Sequence, residues 1–205
     1  MTARRPTAGA GVDADEVAGL VGAAASGDSR AWQLLVERFS GLVWAVTRGY
    51  CPNPADAADV FQTTWLRLVE HLDRLAHPEH VGAWLATTAR RESLRVARAG
   101  RRTFATDDDA LAGLGYVEHH SPERAVLEAE QARLDAQRAQ QVWGAFRGLP
   151  SRCQQLLRVL MTTPPPSYAQ VAAALGMPIG SIGPSRARCL DQLRQRLAPD
   201  VSAPL

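Results

Sequence analysis

The sequence predicts an all-α protein in which two helical domains are joined by a flexible acidic linker. Apolar residues recur every three or four positions along most of the chain, and strand-like alternation does not occur. Residues 103–120 lose this periodicity and mix acids with glycines, as a linker does. We therefore expect four segments: a disordered N-terminal tail at 1–12, a helical domain at 13–102, the linker at 103–120 and a helix-turn-helix domain at 121–205.

Composition limits the classes to which the protein can belong. A chain of 205 residues with 46% hydrophobic residues can form two small domains, each with its own core. We expect no membrane segment and no secretory signal, because no apolar run is long enough for either, and so we expect a cytoplasmic protein. Cys51, Cys153 and Cys189 are far apart and lack metal-ligand spacing, so we interpret them as reduced, mostly buried thiols.

The positive charges are all arginines, since the 23 basic residues include no lysine. Six of them fall within residues 90–102, and a second group occupies residues 186–196. Two basic surfaces on either side of an acidic stretch indicate two contacts with one polyanion, such as a nucleic acid. Solvated helix faces are the alternative interpretation.

Four helices are predicted in the N-terminal domain. The first spans 13–25, with Asp13 and Glu16 at capping-box spacing. The second follows the break at 27–29 and ends near residue 50. The third spans 56–75, with Phe61, Trp65 and Leu68 on its apolar stripe. After a turn at 77–80, the fourth helix spans 81–99 and is expected to bury four residues, namely Trp84, Leu85, Ala89 and Val96.

The C-terminal domain begins with a long helix from Ser121-Pro122 to Gly148, followed by a helix that starts at Ser151 and stops before three prolines at 164–166. Ser167 and Gln170 then form a second capping-box pattern. Gly176 suits the left-handed conformation that ends a helix, and Pro178 prevents simple continuation.

The next helix resumes the apolar stripe with Ile179, Ile182 and Cys189. A short helix, a tight turn and an arginine-bearing helix predict a helix-turn-helix whose second helix enters a major groove. At about 100° per residue, five residues point away from the stripe as candidates for reading bases: Ser181, Pro184, Ala187, Arg188 and Gln192. An ordinary helical hairpin is the alternative.

Several segments, in this order, resemble the sigma-70 family of RNA polymerase sigma factors, of the small extracytoplasmic-function type that keeps regions two and four. Residues 56–68 (DAADVFQTTWLRL) are similar to the helix that docks on the polymerase β′ clamp helices. Residues 81–102 resemble the helix that opens and reads the minus-ten element. Residues 149–160 and 167–197 resemble region four, which reads the minus-thirty-five element.

The resemblance implies a protein without catalysis of its own that binds core RNA polymerase through its β′ clamp helices and β subunit. It would direct the enzyme to specific promoter DNA and assist opening. An anti-sigma protein is a further candidate partner, and no membrane or cofactor is implied. The implied polymerase-binding residues lie off the apolar stripe of the third helix: Asp56, Asp59, Gln62, Thr63 and Arg67.

The implied DNA contacts fall in two groups. The minus-ten group comprises the loop before the fourth helix and the arginines of that helix: His77, His80, Arg90, Arg91, Arg95, Arg98, Arg101 and Arg102. The minus-thirty-five group comprises the start of the short helix and the exposed side of the next: Ser167, Tyr168, Ser181, Pro184, Ser185, Arg186, Ala187, Arg188 and Gln192.

Two departures from the family pattern mean that promoter specificity does not transfer from relatives. Arg186 stands where an apolar residue is usual, and Gly183-Pro184 makes the start of the recognition helix unusual, although proline is tolerated in a first turn. A conventional helix-turn-helix regulator with an N-terminal sensor domain is the rival interpretation. An enzyme is disfavoured by the lack of catalytic motifs, and His77 and His80 lack the further ligands of a metal site.

Overall fold

A computed structural model describes residues 9–100 and 122–197, and within these ranges the protein consists of helices and their connections. The α-helices are, in chain order, α1 (Gly9–Ala25), α2 (Ser29–Tyr50), α3 (Pro54–His71), α4 (Val81–Gly100), α5 (Pro122–Arg147), α6 (Ser151–Leu160), α7 (Tyr168–Leu175) and α8 (Ile179–Leu197). Two 3₁₀ turns, Leu72–Arg74 and Pro78–His80, connect α3 to α4. The all-α prediction is confirmed, while the predicted tail and linker lie mostly outside the described residues.

Local capping signals fix several of these bounds. The carboxylate of Asp28 accepts hydrogen bonds from the backbone N–H groups of Arg30 and Ala31 and so starts α2. The side chain of Asn53 caps α3, with Pro54 in the first helical turn. The predicted start of α1 is wrong, because α1 begins at Gly9 and its backbone is already helical at Asp13.

One compact unit comprises Met1–Asp108 together with Gln155–Ile182. In its described part, α2 packs against α1, α3 and α4, and α7 packs on α4. Its core consists of fully buried side chains from several helices: Leu35, Val43, Val46, Leu68, Leu85 and Val171. This packing holds α3 and α4 side by side, each with one face left for other partners.

The second compact unit comprises Asp109–Gln154 together with Gly183–Leu205. In its described part, Phe146 and Leu149 are buried at the end of α5, and Trp143 packs edge-on against Phe146 with ring centroids 5.5 Å apart. The grouping of 155–182 with the N-terminal helices does not test the predicted division at 103–120, which stays a prediction.

The cysteines correct the sequence interpretation in part. Cys51 is a buried free thiol, as expected. Cys153 of α6 and Cys189 of α8 form a disulfide, with Cα atoms 5.4 Å apart. The expectation of a reduced thiol is therefore wrong at these two positions, because the fold brings together residues that are 36 apart in sequence.

Among the described residues, no helix combines the length and the apolar character that crossing a bilayer requires.

Candidate polymerase and nucleic-acid interfaces

The outward side of α3 carries a seam of four exposed residues, spaced three, four and three positions apart: Asp59, Gln62, Leu66 and Val69. This seam is held outward because the opposite side of α3 buries Val60, Trp65 and Leu68. The spacing matches that of two packed helices, in which residues three and four apart share one face. The α3 seam can therefore accept another helix.

The predicted polymerase-binding residues are placed unequally on this helix. Asp59, Gln62 and Arg67 are exposed, whereas Asp56 and Thr63 are half-buried. The Thr63 hydroxyl donates to the carbonyl of Asp59 at 2.8 Å, and Arg67 pairs with Glu70 at 3.0 Å. Of the five predicted residues, Asp59, Gln62 and Arg67 are therefore accessible to a partner, and Arg67 is already engaged in an ion pair.

Sequence reasoning missed the two apolar members of the α3 seam. Leu66 is 63% exposed and Val69 is 58% exposed, although both are large hydrophobic residues. The sequence signal that could have identified them is their position on α3, opposite the buried stripe of the same helix. Exposed apolar residues aligned on one helix face are typical of a protein interface.

Beside the α3 seam, aromatic rings from α2 and α3 form a partly open cluster. Trp44 lies edge-on to Phe61 with centroids 5.8 Å apart, and Phe61 lies 6.2 Å from Trp65. A shallow groove of about 450 Å³ is lined in part by Trp44, Phe61 and Gln62. Because Gln62 belongs to both features, the groove adjoins the α3 seam, and its aromatic rings add apolar surface beside Leu66 and Val69.

The predicted minus-ten arginines divide between two faces of α4. Arg91, Arg95 and Arg98 are exposed, and their spacing of four and three places them on one face. The Arg95 guanidinium also pairs with Glu92 at 2.8 Å. These three residues, which we call the arginine strip, form a positive surface suited to phosphates. Arg101 and Arg102 lie outside the described residues.

Arg90 is turned away from the arginine strip. It is half-buried, and its buried Nε has no hydrogen-bond partner among the residues that the structure describes. Its guanidinium lies so close to Gly176 that a Cβ at that glycine would be 2.9 Å from the Arg90 Nη1 atom. In this conformation Arg90 therefore faces the turn after α7 rather than the surface that carries the strip.

The loop before α4 exposes both predicted histidines. The side chains of His77 and His80 keep 74% and 71% of their surface exposed, with ring centroids 6.0 Å apart. His77 Nδ1 lies 3.2 Å from the Glu79 carboxylate. A hydrogen bond from its own backbone, with a further one from His77, lowers the pKa of Glu79. In the described part of the chain, no cluster of three metal-ligating side chains occurs.

A cleft of about 330 Å³ lies between α3 and α4, next to the arginine strip. Its walls include His71, Trp84 and Arg91, and the His71 and Trp84 rings are 6.0 Å apart. The sequence predicted that Trp84 would be buried, but it is only half-buried because one side of its ring faces this cleft. An aromatic face beside an arginine can hold an unstacked base.

The helix-turn-helix geometry agrees with the sequence prediction. Ser167 accepts from the N–H of Gln170, whose side chain accepts in return from the N–H of Ser167. Gly176 is left-handed (φ 60°, ψ 45°), and its N–H bonds to the carbonyl of Ala172. Tyr168, at the start of α7, is 45% exposed.

The second helix of this motif, α8, departs from the prediction at two points. Ile179 is 54% exposed instead of buried, because it opens the helix before the stripe begins at the fully buried Ile182. Pro184 lies inside α8 rather than in its first turn, since the helix already starts at Ile179. A proline there removes the hydrogen bond that its N–H would make to the preceding turn.

The predicted minus-thirty-five residues lie mostly in solvent. Ser181 and Ser185 are half-buried; the Ser181 hydroxyl donates to the carbonyl of Pro178 at 2.7 Å, and the Ser185 hydroxyl accepts from Arg188 at 3.4 Å. The other members are exposed: Ser167, Tyr168, Pro184, Arg186, Ala187, Arg188 and Gln192. The exposed side of α8 thus presents two arginines and an amide to a partner.

Comparison with known proteins relates this chain to RNA polymerase sigma factors. The family described as Sigma-70 region 2 matches residues 35–103, which contain the α3 seam and the arginine strip. The ECF RNA polymerase sigma-E factors of Salmonella typhimurium and Escherichia coli are each 24% identical to this chain over 174 residues, covering 84% of this chain and 90% of the relative.

Two solved structures share the fold. CnrH in complex with the cytosolic domain of CnrY covers 90% of this chain and 99% of its own, with a TM-score of 0.55 and 19% identity. The match to the sigma factor RpoE of Bartonella quintana, in complex with the anti-sigma factor NepR, covers 82% of this chain and 98% of the RpoE chain, with a TM-score of 0.53 and 19% identity. The chain belongs to the sigma-70 family of RNA polymerase sigma factors and is of the extracytoplasmic-function type.

Proposed function

We propose that this protein binds core RNA polymerase, directs it to specific promoters and assists promoter opening, with no catalysis of its own. The observation that carries the proposal is the order of three surfaces along one chain: the α3 seam, the arginine strip of α4 and the helix-turn-helix of α7 and α8. We place its action in the cytoplasm, where bacterial RNA polymerase works.

The α3 seam is proposed to dock on the β′ clamp helices of the polymerase. Leu66 and Val69 supply apolar area, and Asp59 and Gln62 supply polar contacts on the same face. A small apolar centre with a polar surround is the usual arrangement of a specific protein interface. The half-buried Asp56 and Thr63 are proposed to support this face, while Arg67 borders it. A contact with the β subunit is proposed for the C-terminal domain.

The arginine strip is proposed to bind phosphates of the minus-ten region. Arginine-phosphate contacts fix the position of a protein on DNA without reading its sequence. Sequence would be read where bases leave the stack, in the loop that carries His77 and His80 and in the cleft beside Trp84. Arg90, Arg101 and Arg102 complete the proposed set.

The exposed side of α8 is proposed to read the minus-thirty-five element. Arg188 and Gln192 are one helical turn apart, and both side-chain types make hydrogen bonds to base edges in a major groove. Ser167 and Tyr168 at the start of α7 are proposed to contact the DNA backbone, as the first helix of such motifs does.

Regulation by an anti-sigma protein is proposed from the structural relatives. The Bartonella quintana RpoE is bound to the anti-sigma factor NepR, and CnrH is bound to the cytosolic domain of CnrY. We expect this chain to have a comparable inhibitory partner.

Reconstituted transcription tests the proposed function. Core polymerase freed of all sigma factors is mixed with the chain and with genomic DNA of the source organism, and RNA 5′ ends are sequenced. We expect new start sites that share two upstream motifs. The double variant Leu66→Ala, Val69→Ala should lose these starts, whereas Leu34→Ala on α2 should keep them. A chain that binds duplex DNA tightly by itself but produces no starts with core polymerase would instead be a conventional regulator.

A further inference from the structure

The bridge between Cys153 and Cys189 closes a loop around the helix-turn-helix. Cys153 is the third residue of α6, and Cys189 lies in the second half of α8. They are 36 positions apart in sequence, and the segment between them includes all of α7 and the turn at Gly176. Both side chains are nearly buried, at 9% and 5% exposure, with Cys153 the more accessible. The bridge therefore ties the recognition helix directly to α6.

The second half of α8 has few other anchors among the described residues. The fully buried Ile182 holds the start of the helix, and Pro184 then removes one main-chain hydrogen bond. The leucines that follow Cys189 are only half-buried or exposed: Leu190, Leu193 and Leu197. Without the bridge, this half of the helix would be held mainly by partial apolar contacts.

The bridge also lies among the proposed base-reading residues. Arg188 precedes Cys189, and Gln192 follows it by three positions, within one helical turn. The Cys153 sulfur lies 3.9 Å from the Gln192 side-chain oxygen. A disulfide sulfur carries no proton, but a reduced thiol could donate to that oxygen. Reduction therefore changes the surroundings of a residue on the reading side of α8.

We propose that Cys153 and Cys189 are a reversible thiol–disulfide exchange site, oxidised to fix α8 for promoter reading and reduced to loosen it. The inference rests on the proposed function, since the compartment in which polymerase works keeps thiols reduced. Disulfides there are rare, and those that form are usually transient or redox-sensing. The oxidant is a low-molecular-weight disulfide such as oxidised glutathione, and dithiol reductases would reduce the bridge again.

The exchange balances in two steps. The Cys153 thiolate attacks one sulfur of the small disulfide, which breaks the disulfide bond and releases one thiolate. The Cys189 thiolate then attacks the Cys153 sulfur of the mixed disulfide and releases the second thiolate. Two protein thiols and one small disulfide become one protein disulfide and two small thiols.

Cys51 provides an internal reference. It is 2% exposed, lies in a cluster with Ala57 and Val60, and burial raises the pKa of its thiol. A protonated, inaccessible thiol neither attacks disulfides nor reacts with alkylating reagents at neutral pH. The Cys51→Ala variant should therefore behave like the unmodified protein in every redox measurement.

A glutathione titration of the full-length protein tests the chemistry. Samples equilibrated over a series of reduced-to-oxidised glutathione ratios are quenched with acid and labelled with maleimide-polyethylene glycol. We expect two thiols to disappear together as the oxidised fraction rises. Hydrogen-exchange mass spectrometry should then show the backbone of 186–197 exchanging about tenfold faster when reduced. A pair that stays reduced in excess oxidised glutathione, a pair that resists excess reduced glutathione, or unchanged exchange would each overturn the proposal.

Transcription from genomic DNA separates this inference from the proposed function. In one buffer, the double variant Cys153→Ser, Cys189→Ser should give about tenfold fewer chain-dependent transcripts than oxidised Cys51→Ala, because an ordered helix binds with less entropy loss. Equal yields would overturn the link to promoter reading. A loss of chain-dependent transcripts in both proteins would count against the sigma-factor function, while the titration would still decide the exchange chemistry.

Discussion

Truncating the two apolar residues of the α3 seam should weaken polymerase binding without unfolding the protein. Leu66 and Val69 keep 63% and 58% of their surface exposed. Complete burial of such a side chain contributes roughly 1.5–3 kcal/mol, so roughly 1–2 kcal/mol remains to be gained by each residue at an interface. Because alanine retains one methyl group, the double variant Leu66→Ala, Val69→Ala should lose roughly 2 kcal/mol, which is about a 30-fold rise in Kd.

Competition of unlabelled variants against a fluorescently labelled chain for core polymerase measures this change. Leu34→Ala is the matched control, since Leu34 is also a partly exposed leucine (42%) but lies on α2. Urea denaturation should show that the free energy of unfolding changes by less than about 0.5 kcal/mol in either protein. If the double variant binds core polymerase within about threefold of the unmodified chain, the docking assignment of α3 is wrong.

Three further predictions concern the turn, the cleft and the recognition helix. Gly176→Ala should lower the free energy of unfolding by roughly 1–2 kcal/mol, because a φ of 60° disfavours a residue with a Cβ. Gly183→Ala should instead raise the free energy of unfolding by roughly 0.5–1 kcal/mol, because Gly183 lies inside α8 with open space around it. Equal effects of the two substitutions in urea denaturation would contradict the left-handed turn. Trp84→Ala should weaken binding of random-sequence single-stranded DNA by roughly 1–3 kcal/mol in fluorescence anisotropy, while Trp84→Phe should retain most of it; no loss in either variant would rule out stacking. Arg188→Ala should cost roughly 1–3 kcal/mol at one base position in a selection from random duplexes, and a uniform loss over all sequences would make it a phosphate contact.

Features that depend on a few neighbouring residues were predictable from the sequence. The capping box of Ser167 and Gln170 and the left-handed Gly176 follow from local backbone chemistry, and the structure has both. The buried stripe of α3 follows from helical periodicity, and Trp65 and Leu68 are buried. Caps, turns and helical periodicity depend on residues within a few positions of one another, so the packing of distant helices does not change them.

Features that depend on distant parts of the chain were not predictable in this way. Trp84 has the composition and spacing of a core residue, and only the placement of α3 beside α4 creates the cleft that exposes it. Arg90 belongs by sequence to a run of arginines, but α7 packs on its side of α4. The bridge of Cys153 and Cys189 likewise requires the angle between α6 and α8.

The packing of α7 on α4 constrains how the proposed function can operate. Two hydrogen bonds to the end of α2 add to this packing: the Tyr50 hydroxyl donates to the carbonyl of Ala174 in α7 at 3.2 Å, and the Gln155 amide of α6 donates to the carbonyl of Gly49 at 2.8 Å. The minus-ten and minus-thirty-five elements are separated by about 25 base pairs, which is roughly 85 Å of duplex at 3.4 Å per base pair. Two helices in contact cannot occupy both elements at once. Promoter recognition through both therefore requires α7 to leave α4, and the same movement would free Arg90 from Gly176 to join the arginine strip.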